Sequence, residues 1–185
     1  HEEAVATRLA VTDPVVLHHR EGSPAVVVVA LTDVVALRLV LSPGDRYESL
    51  AEALGMTLTG NAAIPATFRE RMAMAYETGR RIVGMVMEDL KPSDILTREA
   101  FENAIAVVIA LGGSTNAVLH LLAMAHSANV QLELDDFTRI GTNVPLLADL
   151  KPSGKYLMSE LIAIGGIQPL MKTLLDAGKL HGDCM

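Results

Sequence analysis

Ala100-Phe101-Glu102-Asn103-Ala104-Ile105-Ala106-Val107-Val108-Ile109-Ala110-Leu111, followed by Gly112-Gly113-Ser114-Thr115-Asn116 and then Ala117-Val118-Leu119-His120-Leu121-Leu122-Ala123, organises this chain. From Ala104 to Leu111 no side chain is polar. A helix that is apolar on every side must be buried on every side. Gly112-Gly113 breaks that helix, and Ser114-Thr115-Asn116 caps a second apolar one, Ala117 to Ala125, interrupted by His120. Two buried helices joined by a short polar link predict the centre of the fold. A link in that position has to satisfy its own backbone groups.

Working outward, Thr97 is the expected N-cap of the first helix, with Glu99 at its positive end. Before it, Pro65 is placed to open a long helix whose apolar residues recur at helical spacing: Phe68, Met72, Tyr76, Gly79, Val83, Val86 and Leu90 among them. Arg69, Glu70, Arg71, Glu77, Arg80, Arg81 and Glu88 mark its solvated face, with Glu77 and Arg81 as an i,i+4 pair worth roughly 0.2–0.5 kcal/mol. A shorter helix, Glu48 to Met56, precedes it, and Lys91-Pro92-Ser93 ends it. Downstream, Val130 to Leu134 alternates like a strand, and Asp135-Asp136 open a short helix to Ile140. Helices around 157–164 and 169–177 flank Gly165-Gly166.

Residues 1–48 have a different texture. Val26 to Val29 and the alternating Leu37–Leu41 read as short buried strands, closed by a Ser-Pro-Gly-Asp turn. His18 and His19 are adjacent, so on a strand they face opposite ways and are read as surface histidines.

At 185 residues, half of them hydrophobic and a fifth charged, the chain is the size of one domain and is neither disordered nor a disulfide scaffold. A net charge of −7 argues against nucleic acid as a partner. The longest apolar stretch, 25–41, carries Asp33 and Arg38 and is too short and too charged to span a membrane. Glu2 and Glu3 stand where a signal peptide would be positive. Starting at His1, the chain is read as a fragment.

Three places could carry chemistry. Gly112, Gly113, Ser114, Thr115 and Asn116 could cradle an anion with free N–H groups at a helix start, or could simply cap that helix. The Gly-Lys-Ser/Thr of a nucleotide loop is absent there. Lys151-Pro152-Ser153-Gly154-Lys155 could hold a carboxylate or phosphate through Lys151, Ser153 and Lys155, or could be a solvated turn. His181-Gly182-Asp183-Cys184 has metal-capable residues without the spacing of a compact site, so no metal ligand is assigned. The single cysteine, Cys184, makes no internal disulfide. His120 reads as a core histidine, and no nucleophile triad can be argued.

Taken together, Ala100–Ile105, Ala110–Ala123, Asp135-Asp136-Phe137, Ala148–Tyr156, Gly165-Gly166-Ile167 and Leu180-His181-Gly182-Asp183-Cys184-Met185 resemble, in order and spacing, the dihydroxy-acid dehydratase family over about residues 52–185. The wider family includes sugar-acid enzymes such as phosphogluconate dehydratase. The resemblance implies a helix-rich fragment of a large N-terminal α/β domain with short strands, here 49–185, and a segment 1–48 that does not match. It implies a hydro-lyase that turns 2,3-dihydroxy acids into 2-keto acids in valine and isoleucine biosynthesis, with a small-molecule dihydroxy acid as partner. In the complete family protein it implies an iron–sulfur cluster, magnesium, a homodimer and a cytoplasmic location.

The same resemblance exposes departures. The family's third cluster cysteine lies a fixed distance ahead of Glu-Ala-Leu-Gly-Met, here Glu52–Met56, and that distance lands on Arg38, followed by Leu39 and Val40. The Cys-Asp-Lys magnesium segment and the domain carrying the base are absent as well. The expectation is a chain that binds neither group and is inactive alone. A shifted reading frame, an unusual join or divergence could each account for residues 1–48. A sugar-acid substrate and a non-catalytic helical interaction module are the alternatives.

Overall fold

The computed structural model describes residues 47–64, 68–151 and 154–184. The readings made on residues 1–46, on Pro65 and on Ser153 lie outside them. The helices are α1 (Tyr47–Ala53), α2 (Glu70–Met87), α3 (Pro92–Ile95), α4 (Arg98–Ala110), α5 (Thr115–Ser127), α6 (Leu134–Gly141), α7 (Met158–Ala163) and α8 (Ile167–Asp176), with a 3-10 turn at Asn61–Ala63.

Helix α4 is the hub, and α1, α5 and α6 pack around it. Thr97 Oγ1 accepts from the Ala100 N–H at 3.2 Å and starts it, as expected. Phe101, Ala104, Ile105, Val107, Ala110 and Leu111 have no solvent exposure at all. Leu50, Leu54, Leu121, Ile167 and Leu174 from the surrounding elements complete the core. The low aromatic content leaves Phe101 as the largest fully buried side chain.

Helix ends repeat one device. After α4, Gly112 N–H donates to Ile109 O at 2.9 Å and Gly113 N–H to Val108 O at 2.8 Å. That pairing of the last carbonyls is a Schellman motif, and it needs a left-handed residue just past the helix. Gly112 supplies it with φ 105°. Asp89 after α2 and Asn129 after α5 do the same with φ 54° and 55°. They accept the conformation as the short polar residues that tolerate it best.

Buried Glu52 on α1 organises the following turn. Its Oε1 accepts from Gly60 N–H at 2.7 Å and from Gln168 Nε2 at 2.8 Å, and its Oε2 accepts from Ala62 N–H at 2.9 Å. A buried carboxylate is tolerable only when its oxygens are satisfied in this way. The bond from Gln168 also ties the start of α8 to α1.

The α/β expectation is overturned. Among the described residues there is no strand, only an isolated parallel bridge between Leu150 and Tyr156. Val130–Leu134 alternates for another reason. Val130 N–H closes the Schellman motif of α5 on Ala125 O at 2.8 Å, and Val130 and Leu132 pack against the core without a neighbouring strand. The Gln131 carbonyl takes a hydrogen bond from Arg98 Nη1, where a strand would have taken a backbone N–H. Leu134 already belongs to α6 and is exposed.

Two helices are less buried than their sequences suggest. On α5 only Ala117, Leu121 and Ala125 are buried, one i,i+4 stripe facing inward, while Leu119 and His120 are exposed. His120 is therefore not a core histidine. Helix α2 buries no residue. The predicted Glu77–Arg81 pair is replaced by Arg80 with Glu77 at 3.3 Å and Arg81 with Glu88 at 2.8 Å.

Candidate functional site

Ser114 Oγ accepts from Ala117 N–H at 3.3 Å and starts α5, so the capping role expected of the link is met. Gly112 and Gly113 both have positive φ, and Thr115 and Asn116 are exposed. The second segment is a knot around Asp149. The Asp149 carbonyl accepts from Lys155 N–H at 2.8 Å and Tyr156 N–H at 3.1 Å, and Lys151 N–H donates to Tyr156 O at 2.8 Å. Asp149 itself has φ 27°. A Cβ at Gly154 would fall inside the van der Waals shell of that same carbonyl, so only glycine fits there. Lys151 and Lys155 are exposed.

The two segments share an anchor. Leu147 N–H and Ala148 N–H both donate to Ala110 O, at 2.8 and 3.0 Å. That carbonyl sits at the end of α4, immediately before Leu111 and the glycine link. The lysine loop is thus rooted beside the Gly112–Asn116 link.

Sequence reading missed a charged cluster where α4, α6 and the C-terminal turn meet. Glu102 Oε1 accepts from Arg98 Nε at 3.2 Å and Arg139 Nη2 at 2.6 Å, and Glu102 Oε2 lies 2.8 Å from His181 Nε2. Asp136 pairs with Arg98, accepts from Arg139 at 3.1 Å, and takes the Glu133 N–H at 2.9 Å on its other oxygen. The Arg98 hydrogen bond, helped by the Glu133 amide and Arg139 and opposed by partial burial, holds the Asp136 carboxyl down at about 2. Burial alone would push Glu102 up. The hydrogen bonds from Arg139, His181 and Arg98 outweigh it and hold Glu102 below its ordinary value. Arg98 and Glu102 stand at i,i+4 and Asp136 and Arg139 at i,i+3, a spacing visible in the sequence. That the two pairs meet was not visible.

Beside this cluster lies a cavity of about 310 Å³, lined by Glu102, Arg139, Asn143, Val144, Lys179 and His181 among others. A second, of about 220 Å³, is lined by Asp94, Thr97, Glu99, Asp183 and Cys184. Burial pushes the Cys184 thiol up, and the nearby carboxylates of Asp183 and Glu99 act in the same direction. Asn103 Nδ2 donates to Cys184 Sγ at 3.0 Å.

The sequence pattern of the family described as dihydroxy-acid/6-phosphogluconate dehydratase N-terminal matches residues 46–185, and the chain belongs to that family. It is 64% identical over 137 residues to a dihydroxy-acid dehydratase of Methylococcus capsulatus, covering 74% of this chain and 24% of the relative. It is 55% identical over 163 residues to that of Mycobacterium ulcerans, covering 83% of this chain and 29% of the relative. With the Chromohalobacter salexigens enzyme the identity is 53% over 172 residues, 90% of this chain and 30% of the relative. The last share takes in residues before 46. The chain thus spans 24–30% of the length of these relatives.

An iron–sulfur cluster is held by several thiolates, and this chain has one cysteine. Its residues do not fit that group. Among the described residues no three of His, Cys, Asp and Glu are placed to hold a metal ion. None of the helices among them is long and apolar enough to cross a membrane.

Proposed function

We propose that this chain is a piece of the N-terminal domain of a hydro-lyase that removes water from a 2,3-dihydroxy acid to give a 2-keto acid, serving valine and isoleucine synthesis. Membership of the family carries this reading, supported by 53–64% identity to relatives named dihydroxy-acid dehydratase. Hydroxide is a poor leaving group, and a metal centre relieves the charge it carries away. The donors for an iron–sulfur cluster and magnesium belong, on this reading, to parts of the complete protein other than the residues described. The chain alone is inactive.

What its own residues contribute is scaffold and edge. Helix α4 and its Schellman ending fix Gly112–Asn116, and Ala110 O fixes the root of the Lys151–Lys155 loop. We place these two segments nearest to ligand or subunit contacts in the complete protein, which would act as a cytoplasmic homodimer. Residues 49–185 form the domain piece. Residues 1–48 differ in texture, and the similarity to the Chromohalobacter salexigens enzyme that reaches into the region before 46 favours divergence over an unrelated join.

The family description names two substrate classes. Assay of a complete protein carrying this segment on 2,3-dihydroxy-3-methylbutanoate and on 6-phosphogluconate tests the choice. Turnover of the first with none of the second supports the reading, and the reverse assigns a sugar acid. A second reading, a non-catalytic helical module, draws on the exposed apolar face of α2.

A further inference from the structure

The cavity of about 310 Å³ lies where α4, the end of α6 and the turn after α8 meet, and its volume falls at the lower end of the range of small-molecule sites. Its walls differ in chemistry. Ile140, packed against the core, and Val144, 8% exposed, make an apolar part. Arg139, Lys179 and His181 make a cationic part, with Glu102 among them.

The carboxylates of this region are already engaged. Glu102 Oε1 is taken by Arg98 and Arg139 and Oε2 by His181, while Asp136 is taken by Arg98 and Arg139 on one oxygen and by the Glu133 N–H on the other. Lys179 has no ion-pair partner among the described residues. Arg139 meets both carboxylates through Nη2, which leaves Nη1 and Nε to donate elsewhere. Arg98, Arg139 and Lys179 therefore stand against Glu102 and Asp136, one positive charge in excess, and protonated His181 adds a second. In a chain of net charge −7 that excess is local. The helix ends at the cavity do not cancel it with free carbonyls. Those of α6 accept from Thr142 and Asn143 N–H and from Asn143 Nδ2, and those of α8 from Ala177, Gly178 and Lys179 N–H. A cationic wall beside an apolar one suits a small anion with a hydrocarbon body, and guanidinium with ammonium donors suits a carboxylate head.

We propose that this cavity is a binding site for a small aliphatic carboxylate, with Lys179 and Arg139 holding its head and Ile140 and Val144 its hydrocarbon chain. The site shares no residue with the Gly112–Asn116 and Lys151–Lys155 segments and is independent of the dehydration chemistry. Titration of the isotopically labelled chain with 3-methylbutanoate at constant ionic strength, followed by amide NMR shifts, tests it. The expected result is saturable shifts confined to the amides of residues 139–144 and 178–181, and none with the neutral 3-methylbutanamide. Lys179 is exposed, so its variants keep the far-UV helix content. Lys179→Ala weakens binding roughly tenfold, the loss of one charge-assisted hydrogen bond. Lys179→Glu abolishes binding, and Lys179→Arg retains it. Lys172→Ala, which removes an exposed lysine of α8 outside the cavity, leaves binding unchanged. Inorganic phosphate bound as tightly as the acid overturns the assignment to an aliphatic ligand. Shifts scattered over the chain, no saturation, or an affinity that Lys179→Glu does not change overturns the site itself. Each of these failures leaves the dehydration reading standing.

Discussion

Asn103 and His181 hold each other as two strand residues would. Asn103 Nδ2 donates to His181 O at 3.0 Å, and the His181 N–H donates to Asn103 Oδ1 at 2.8 Å. Asn103 sits on the buried helix α4 and is itself buried, so its amide is the hinge pin between the core and the C-terminal turn. A buried amide satisfied on both sides stabilises, and one lost partner leaves the other group stranded.

Replacing Asn103 by Ala removes both bonds and the contact to Cys184. The expected cost is about 2 kcal/mol of unfolding free energy, read as a lowered urea midpoint with an unchanged slope. Hydrogen exchange should show the largest gain in the amides of His181 and its neighbours. A midpoint equal to that of the unaltered chain contradicts the assigned role.

The Asp136 and Glu102 carboxyls both sit below their ordinary values, so the folded state binds protons later than the unfolded chain. The stability from Asp136 is complete above its ordinary value of 3.8 and is lost as pH falls from there toward about 2. Glu102 acts with the same sign, beginning at its ordinary 4.5. Asp136→Asn should flatten the fall in stability over that window, because the titrating group is gone. Urea midpoints measured at a series of acid pH values check this. Equal slopes for the two proteins would contradict it.

Gly113 and Gly166 share φ 72°, yet alanine should cost differently at the two. At Gly113 a Cβ meets nothing within 4 Å, so only the left-handed backbone is penalised, by about 1 kcal/mol. At Gly166 ψ is −145°, a region open essentially to glycine alone, and a Cβ would also meet Ala63 Cβ at 2.9 Å, in the turn that Glu52 holds. Gly166→Ala should therefore lose about 2–3 kcal/mol. Thermal or urea unfolding of the two variants gives the comparison.

The hub of this fold was legible because one helix, Ala104 to Leu111, has nothing but apolar side chains, and such a pattern admits a single reading. Its ends were legible too: Thr97 and Ser114 cap, and Gly112-Gly113 breaks. Strand at Val130–Leu134 was misread because an alternating pattern records which side chains turn inward, and a loop closing a Schellman motif turns Val130 and Leu132 inward without any partner strand. The burial of α2 and α5 was overstated for a related reason. Apolar periodicity marks a face that will be covered, and it does not name what covers it. In the candidate site, the Ser114 cap followed from local chemistry. The meeting of the lysine loop with the α4 terminus depends on Ala110 O, a backbone group that residue types do not encode. The Arg98–Glu102–Asp136–Arg139–His181 cluster depends on contacts across more than thirty residues, beyond any local spacing.

The chain belongs to this dehydratase family, yet it has one cysteine and, among its described residues, no group of side chains placed to hold a metal ion. Anaerobic incubation of the purified chain with ferrous iron and sulfide, followed by desalting, iron determination and assay on 2,3-dihydroxy-3-methylbutanoate with magnesium, tests it directly. The expected result is a colourless protein with no bound cluster and no 2-keto acid formed. A brown protein with stoichiometric iron and sulfide that turns the substrate over would contradict it.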